Sequence, residues 1–171
     1  LWRMNPGRME AEVVRDSVLA VAGSLDSAIG GEVRSNTEAM TTFRRSLYYE
    51  VYPENGGNNA LADVFDGPDP SECFRRTSTV MPQQALALSN SKIIHSSARK
   101  ISQQISKSAV DDVAFIKHAF QRVLSRMPNQ REHDAAIRFL QQRSETADPG
   151  DSVRESLVRV LFNHNDFVTV R

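Results

Sequence analysis

The sequence predicts a mainly α protein: four to five amphipathic helices, a loop-rich N-terminal lobe and one short extended segment. Three observations carry that expectation. From Pro82 onward apolar residues recur every three or four positions, with short joints between the runs, the period of a helix that buries one face. Up to Val80 the chain is rich in glycine, asparagine and small polar residues, the composition of turns. Only Ser46–Tyr52 alternates in the manner of a half-buried strand. The division is therefore a loop-rich lobe over 1–81 and a helical lobe over 82–171, within a single 1–171 domain.

The first helix is expected over Arg8–Ala22, ended by Gly23, which adopts the left-handed C′ conformation at little cost. Ala11, Val14, Val18, Val21, Ala22 and Leu25 form its apolar stripe. Arg8, Glu12 and Arg15 run along the flank at helical spacings that let their charges pair. Asp16 falls nearly opposite the stripe, facing solvent or another segment. Residues 26–43, with Gly30-Gly31, read as loop. In the extended segment Leu47, Tyr49 and Val51 alternate with Tyr48, Glu50 and Tyr52. Glu54–Asn59 is a turn, and Asn59 caps a short helix through Phe65 that Asp66-Gly67-Pro68-Asp69-Pro70 breaks. After the polar connector Cys73–Val80, Pro82 opens one long helix reaching about Lys107, with Leu86, Asn90, Ile93, Ser97, Ile101 and Ile105 along one side. Asp111 caps the next, which carries Val113, Ile116, Phe120, Val123 and Leu124. Pro128 opens another, with Ala136, Ile137, Phe139 and Leu140 inward. Asp151 or Ser152 starts the last, with Val153, Leu157, Val160 and Leu161.

Composition excludes several classes. The chain has 171 residues, 40% of them hydrophobic, and balances 21 Lys+Arg against 21 Asp+Glu, so no global field draws in nucleic acid or an anionic membrane. Its longest apolar run, Val18–Ala22, is far short of a membrane span. A single cysteine, Cys73, excludes an internal disulfide framework and a multi-cysteine zinc site. Arginine outnumbers lysine 17 to 4. A guanidinium can hold a carboxylate and several carbonyls at once, although genomic composition bias explains the excess equally well. Beginning at Leu1, the chain is expected to be a piece of a longer one.

Candidate chemistry is sparse. No two of His95, His118, His133 and His164 have the spacing of a helical zinc motif, and there is no Cys-x-x-Cys-His for covalent haem. Asp63, Asp66, Asp69 and Glu72 recur at three-residue spacing, which is wrong for a calcium loop. Nucleophile elbows, Walker loops and dinucleotide fingerprints are absent from the sequence. No catalytic residue, metal ligand or cofactor is therefore assigned to this chain. Asn90, set in an apolar stripe, needs hydrogen-bond partners, and the irregular connector Arg75–Met81 is the natural source. Arg45, Arg75 and Arg76 are expected to tie loops to helix ends. The alternative is an anion or sugar pocket lined by Arg45, Tyr48, Asp66, Arg75, Arg76 and Gln83. Its aromatic platform would come from Trp2, Tyr48, Tyr49 or Tyr52.

Several motifs then occur in order. Arg8-Met9-Glu10-Ala11-Glu12-Val13-Val14-Arg15-Asp16 runs to Gly23, followed by Arg45-Ser46-Leu47-Tyr48 and Phe65-Asp66-Gly67-Pro68-Asp69. Arg75-Arg76-Thr77-Ser78-Thr79-Val80-Met81-Pro82-Gln83-Gln84-Ala85-Leu86, with Asn90, is the most specific. Leu161-Phe162-Asn163-His164-Asn165-Asp166-Phe167 closes the set. Together they resemble a C-terminal domain of unknown function in large secreted planctomycete proteins, found downstream of planctomycete cytochrome-c-like domains. The resemblance implies export to a secreted or periplasmic location, a multidomain parent, haem c in another domain of that parent, and an association with polysaccharide breakdown. It supplies no catalytic residue. Arg15, Asp16, Asn90, Asn163 and Asn165 are expected to be structural. The expected function is a non-catalytic module docking neighbouring domains of its parent chain. A carbohydrate-binding or carbohydrate-processing domain acting on polysaccharide is the alternative.

Overall fold

The computed structural model describes residues 7–39, 41–51, 60–67, 79–144 and 152–170. Among them are eight α-helices and one two-stranded antiparallel ladder. The mainly α expectation is met.

Helix α1 (Ala11–Val21) follows from its 3–4 spacing and ends as expected at Gly23, whose φ is +63°. The Gly23 amide donates to Ala20 O and the Ser24 amide to Leu19 O, the paired bonds of a Schellman motif. Cations from two other helices finish the cap: Lys100 donates to Gly23 O and Arg122 to Val21 O, where the helix dipole favours positive charge. The buried stripe is Ala11, Val14, Arg15, Val18, Leu19 and Ala22, rotated from the expected one so that it includes Arg15. That arginine does not lie on a solvated flank.

The strand expected over Ser46–Tyr52 does not form. Ser46–Tyr48 is a turn of 3-10 helix, and Tyr49 makes only an isolated bridge to Arg34. Alternation here arises because Ser46 and Tyr49 turn inward while Leu47 stays exposed. Tyr52 lies outside the described residues. Helix α2 (Ala60–Val64) ends as Asp66 takes a left-handed φ of 54°, which lets the Gly67 amide reach Ala62 O.

The long helix expected from Gln83 to Lys107 is two helices, α3 (Pro82–Asn90) and α4 (Lys92–Ser106). Ser91 between them is extended, with ψ 132°. One extended residue resets the helical phase. In α3, Gln84 and Leu88 face inward while Leu86 and Asn90 face out. In α4, Ile93, Ser97, Ile101 and Ile105 face inward as expected. Helix α5 (Asp112–Leu124) is capped by Asp111, whose carboxylate accepts from the Ala114 amide. Its core residues are Phe115, Ile116, Ala119 and Phe120, with Val113 partly exposed. Helix α6 (Gln130–Ser144) is opened by Asn129 and Glu132, which exchange side-chain to backbone bonds in a capping box, with Pro128 just before it. Helix α7 (Val153–Phe162) follows Ser152, and its Val160 points outward against expectation. A single turn, α8 (Asn165–Val168), brings Phe167 edge-on to Phe162, with ring centroids 5.0 Å apart.

Helices α4 and α7 form the most extensive pair, with α1, α5 and α6 packed around them. The chain closes through β1 (Gly7–Arg8) and β2 (Thr169–Val170), which pair Gly7 with Val170 and Arg8 with Thr169. One continuous core reaches from Ala11 to Val168.

Candidate functional site

Arg15 is the densest polar node among the described residues. It is 1% exposed, yet its guanidinium is matched on every side. Nε and Nη2 donate to Ala39 O at 2.9 and 2.7 Å, Nη2 also to Thr42 O at 2.8 Å, and Nη1 to Arg44 O at 2.8 Å. Ser46 Oγ and Tyr49 Oη each lie at 3.2 Å, and the guanidinium sits 4.8 Å from the Tyr49 ring centroid. Asp16 stands 3.3 Å away and carries the opposite charge. Its carboxylate accepts from the Ser46 amide at 2.9 and 3.1 Å and from Ser46 Oγ at 2.7 Å. Two adjacent residues of one helix thus hold the segment between Ala39 and Tyr49, which has no ladder to satisfy its carbonyls. A buried cation survives only where paired and fully hydrogen-bonded, and this one is.

A second brace ties Val64 and Asp66 to the start of α3. Asp66 accepts from the Thr79 amide at 2.7 Å and from Thr79 Oγ1 at 2.8 Å. Gln84, also 1% exposed, donates through Nε2 to Val64 O at 3.0 Å and to Thr79 O at 3.1 Å. The role expected for Asn90 falls to Gln84 instead.

The third node joins the α5–α6 corner to α8. Arg126 donates to Asp166 Oδ2 at 2.8 Å and to both oxygens of Glu132, at 2.8 and 2.6 Å. The Arg126 hydrogen bond, helped by that of the Asn129 amide, holds the Glu132 carboxyl at about 2, against an ordinary 4.5. Both acids in turn raise the Arg126 guanidinium above its usual value. His164 Nδ1 accepts from the Asp166 amide and so caps α8. On α4, His95 is clamped between Ser89 O and the Arg159 guanidinium. Among the described residues no group of three or more metal-ligating side chains comes together.

The residues singled out by sequence are dispersed. Arg45 is exposed. Tyr48 accepts from the Gly30 amide at 2.8 Å through its hydroxyl, with Arg44 over its ring. Asp66 is engaged with Thr79, and Gln83 faces outward on α3. Arg75 and Arg76 lie outside the described residues, as do Trp2 and Cys73. Of the set read as structural, Arg15 and Asp16 form the first node. Asn163 donates to Ser89 Oγ at 2.8 Å, linking α7 to α3, and Asn165 accepts from Thr169 at 3.3 Å. Asn90 is exposed. Gln84 and Arg126 escape the sequence reading. Gln84 stands four residues before Leu88, a spacing that identifies it only once the α3–α4 break is placed.

Two clefts flank these nodes. One, of about 290 Å³, lies between the start of α1 and the 46–51 turn, against Glu10, Glu12, Arg15, Leu47, Tyr49 and Val51. The other, of about 300 Å³, lies among α3, α6 and α7. Neither takes in Arg45, Tyr48, Asp66 or Gln83.

Fold and polar nodes together define a mainly helical domain in which side chains of α1 brace the irregular segment 39–49. The chain belongs to the family PSD1, described as a protein of unknown function (DUF1553), whose family model matches residues 1–140. That is the planctomycete-type C-terminal domain of unknown function which its motifs resemble. No curated protein and no solved structure matches it.

Proposed function

We propose that this chain is a non-catalytic interaction module of a large secreted, cytochrome-c-associated protein, docking a neighbouring domain of its parent. The observation that carries the reading is the commitment of Arg15 and Asp16. These motif residues direct most of their hydrogen bonds at backbone groups of residues 39–46, which supports an architectural role. Asp66 accepts from Thr79 in the same way, and Gln84 gives its Nε2 hydrogens to the Val64 and Thr79 carbonyls. Haem c belongs, in this reading, to another domain of the parent, and this chain supplies a rigid surface against it.

The carbohydrate reading finds its support in the cleft beside Glu10 and Glu12, where two acidic residues border an apolar wall of Leu47 and Val51. Titration calorimetry of the 171-residue chain against the haem-bearing part of its parent separates the two. Saturable binding to the haem domain, with no heat from neutral or charged oligosaccharides, is the expected result. Oligosaccharide binding without any haem-domain binding overturns the docking reading.

A further inference from the structure

A net charge of zero conceals a division. All four lysines of the chain lie between Lys92 and Lys117, and the stretch from Lys92 to Arg122 sets six Lys and Arg against two acids. The remainder is acidic by the same margin, since the whole balances. Neither acid of the stretch answers those cations. Asp111 caps α5 through the Ala114 amide at 2.7 Å, and Asp112 holds Arg154 at 2.8 Å. Arg99 is paired with the buried Glu155 at 3.3 Å. Lys92, Lys100, Lys107, Lys117 and Arg122 have no carboxylate partner among the described residues. Lys92, Lys100 and Lys107 follow at spacings of eight and seven, about two turns each, so they share one side of α4. Lys92 and Lys107 are exposed, and Lys117 is exposed further round α5. Lys100 is fixed at the end of α1, on Gly23 O at 3.0 Å and Ser24 Oγ at 2.8 Å. Arg122 comes to the same turn from α5, on Val21 O at 2.7 Å. Only neutral acceptors and the partial negative end of α1 hold these two cations, so most of their charge still stands.

We propose that this basic side of α4, with the Arg122 corner of α5, docks a carboxylate-bearing face of a protein partner. The inference rests on the docking reading and gives that reading its surface and the charge of its partner. Complementary potential is what steers two such faces together and sets their register, and a cationic face is turned away by the same field. A nucleic acid is a poorer fit for two reasons. Its charge runs on without a break, one for about every 1.7 Å of duplex, and past Lys107 that charge meets the exposed Asp111 carboxylate. It also finds no phenylalanine, tyrosine or tryptophan exposed on α4 or α5 to stack a base. A folded acidic face ends where the strip ends, about 22 Å from Lys92 to Lys107 at the rise of a helix.

The test is an NMR titration of the 171-residue chain, followed at the lysine side chains, with a short blocked peptide alternating glutamate and serine. Its glutamine counterpart and an oligothymidylate of the same length are the comparison probes. Expected are shifts at Lys92, Lys100 and Lys107 with the glutamate peptide alone. Its affinity should fall roughly tenfold between low and physiological salt. Lys92→Glu combined with Lys107→Glu should abolish the Lys100 shift and leave the melting temperature unchanged, because both side chains are exposed. Arg131→Glu combined with Arg138→Glu makes the same charge change on the exposed side of α6 and should leave binding intact. Equal response to the glutamine peptide, indifference to salt, or an α6 reversal as damaging as the α4 reversal overturns the proposal. So does oligothymidylate binding as tight as that of the glutamate peptide, which makes a nucleic acid the occupant. Haem-domain binding that survives the α4 reversal sinks this surface but spares the docking reading. Absence of haem-domain binding by the unmodified chain sinks the reading itself.

Discussion

Arg15 concentrates, in one side chain, what distinguishes an arginine from a lysine. Its planar fork reaches three carbonyls, a hydroxyl pair and a carboxylate from one position, which an ammonium's three donors cannot reproduce. Arg15→Ala strands those buried carbonyls and Asp16 and should cost roughly 3 kcal/mol or more in urea unfolding. Arg15→Lys should recover only part of that loss, and a lysine variant as stable as the parent would refute the role of the fork. Gln84 and Asn90 make a matched pair at the same scale. Gln84→Ala should lower stability by about 1–3 kcal/mol, whereas Asn90→Ala, on an exposed face, should stay within about 0.5 kcal/mol. An Asn90 effect as large as that of Gln84 would restore the sequence-based assignment. The arginine excess is legible in the amino-acid sequence, and so is the need for a buried amide to meet the connector after residue 75. Which amide does so is not, because that depends on the helical phase, and phase is set by backbone angles at Ser91.

At the scale of elements, most helix boundaries follow from local chemistry: Gly23 ends α1, Asp111 starts α5 and Ser152 precedes α7. The departures share a cause. Ser91 carries no proline or glycine signal, only the N-cap preference of serine, and His95 on Ser89 O and the Ala87 carbonyl hold the α3–α4 elbow. The 46–51 alternation does not mark a strand: the 3-10 turn buries Ser46 and Tyr49, three apart, and leaves Leu47 and Val51 exposed. The Arg126–Glu132–Asp166 node belongs to this scale, since it locks the α5–α6 corner onto α8. Glu132 has a folded value of about 2 against 4.5 unfolded. Its contribution is therefore complete above about pH 4.5 and is lost as the pH falls toward 2. Thermal melts from pH 6 down to 2.5 should show a decline that is shallower in Glu132→Gln, which begins less stable. Parallel curves for the two proteins would contradict the pairing.

Among the described residues three braces and one ladder hold the molecule: Arg15 on the loop segment, Asp66 and Gln84 on the approach to α3, Arg126 at the α5–α6 corner, and β1 against β2. The mainly α class is readable from periodicity alone. The ladder is not, since two paired residues per strand leave no pattern and the partners stand at opposite ends of the chain. If the motif side chains are spent on architecture, no small ligand should lean on them, and thermal unfolding of the 171-residue chain against a panel of oligosaccharides and divalent metals asks this outright. A ligand that binds the folded state raises the melting temperature by mass action. The transition should stay unmoved across the panel, while Arg15→Ala lowers it with or without ligand. A reproducible rise with one saccharide, abolished by Arg45→Ala or Tyr48→Phe, would contradict the architectural role and make this a recognition domain.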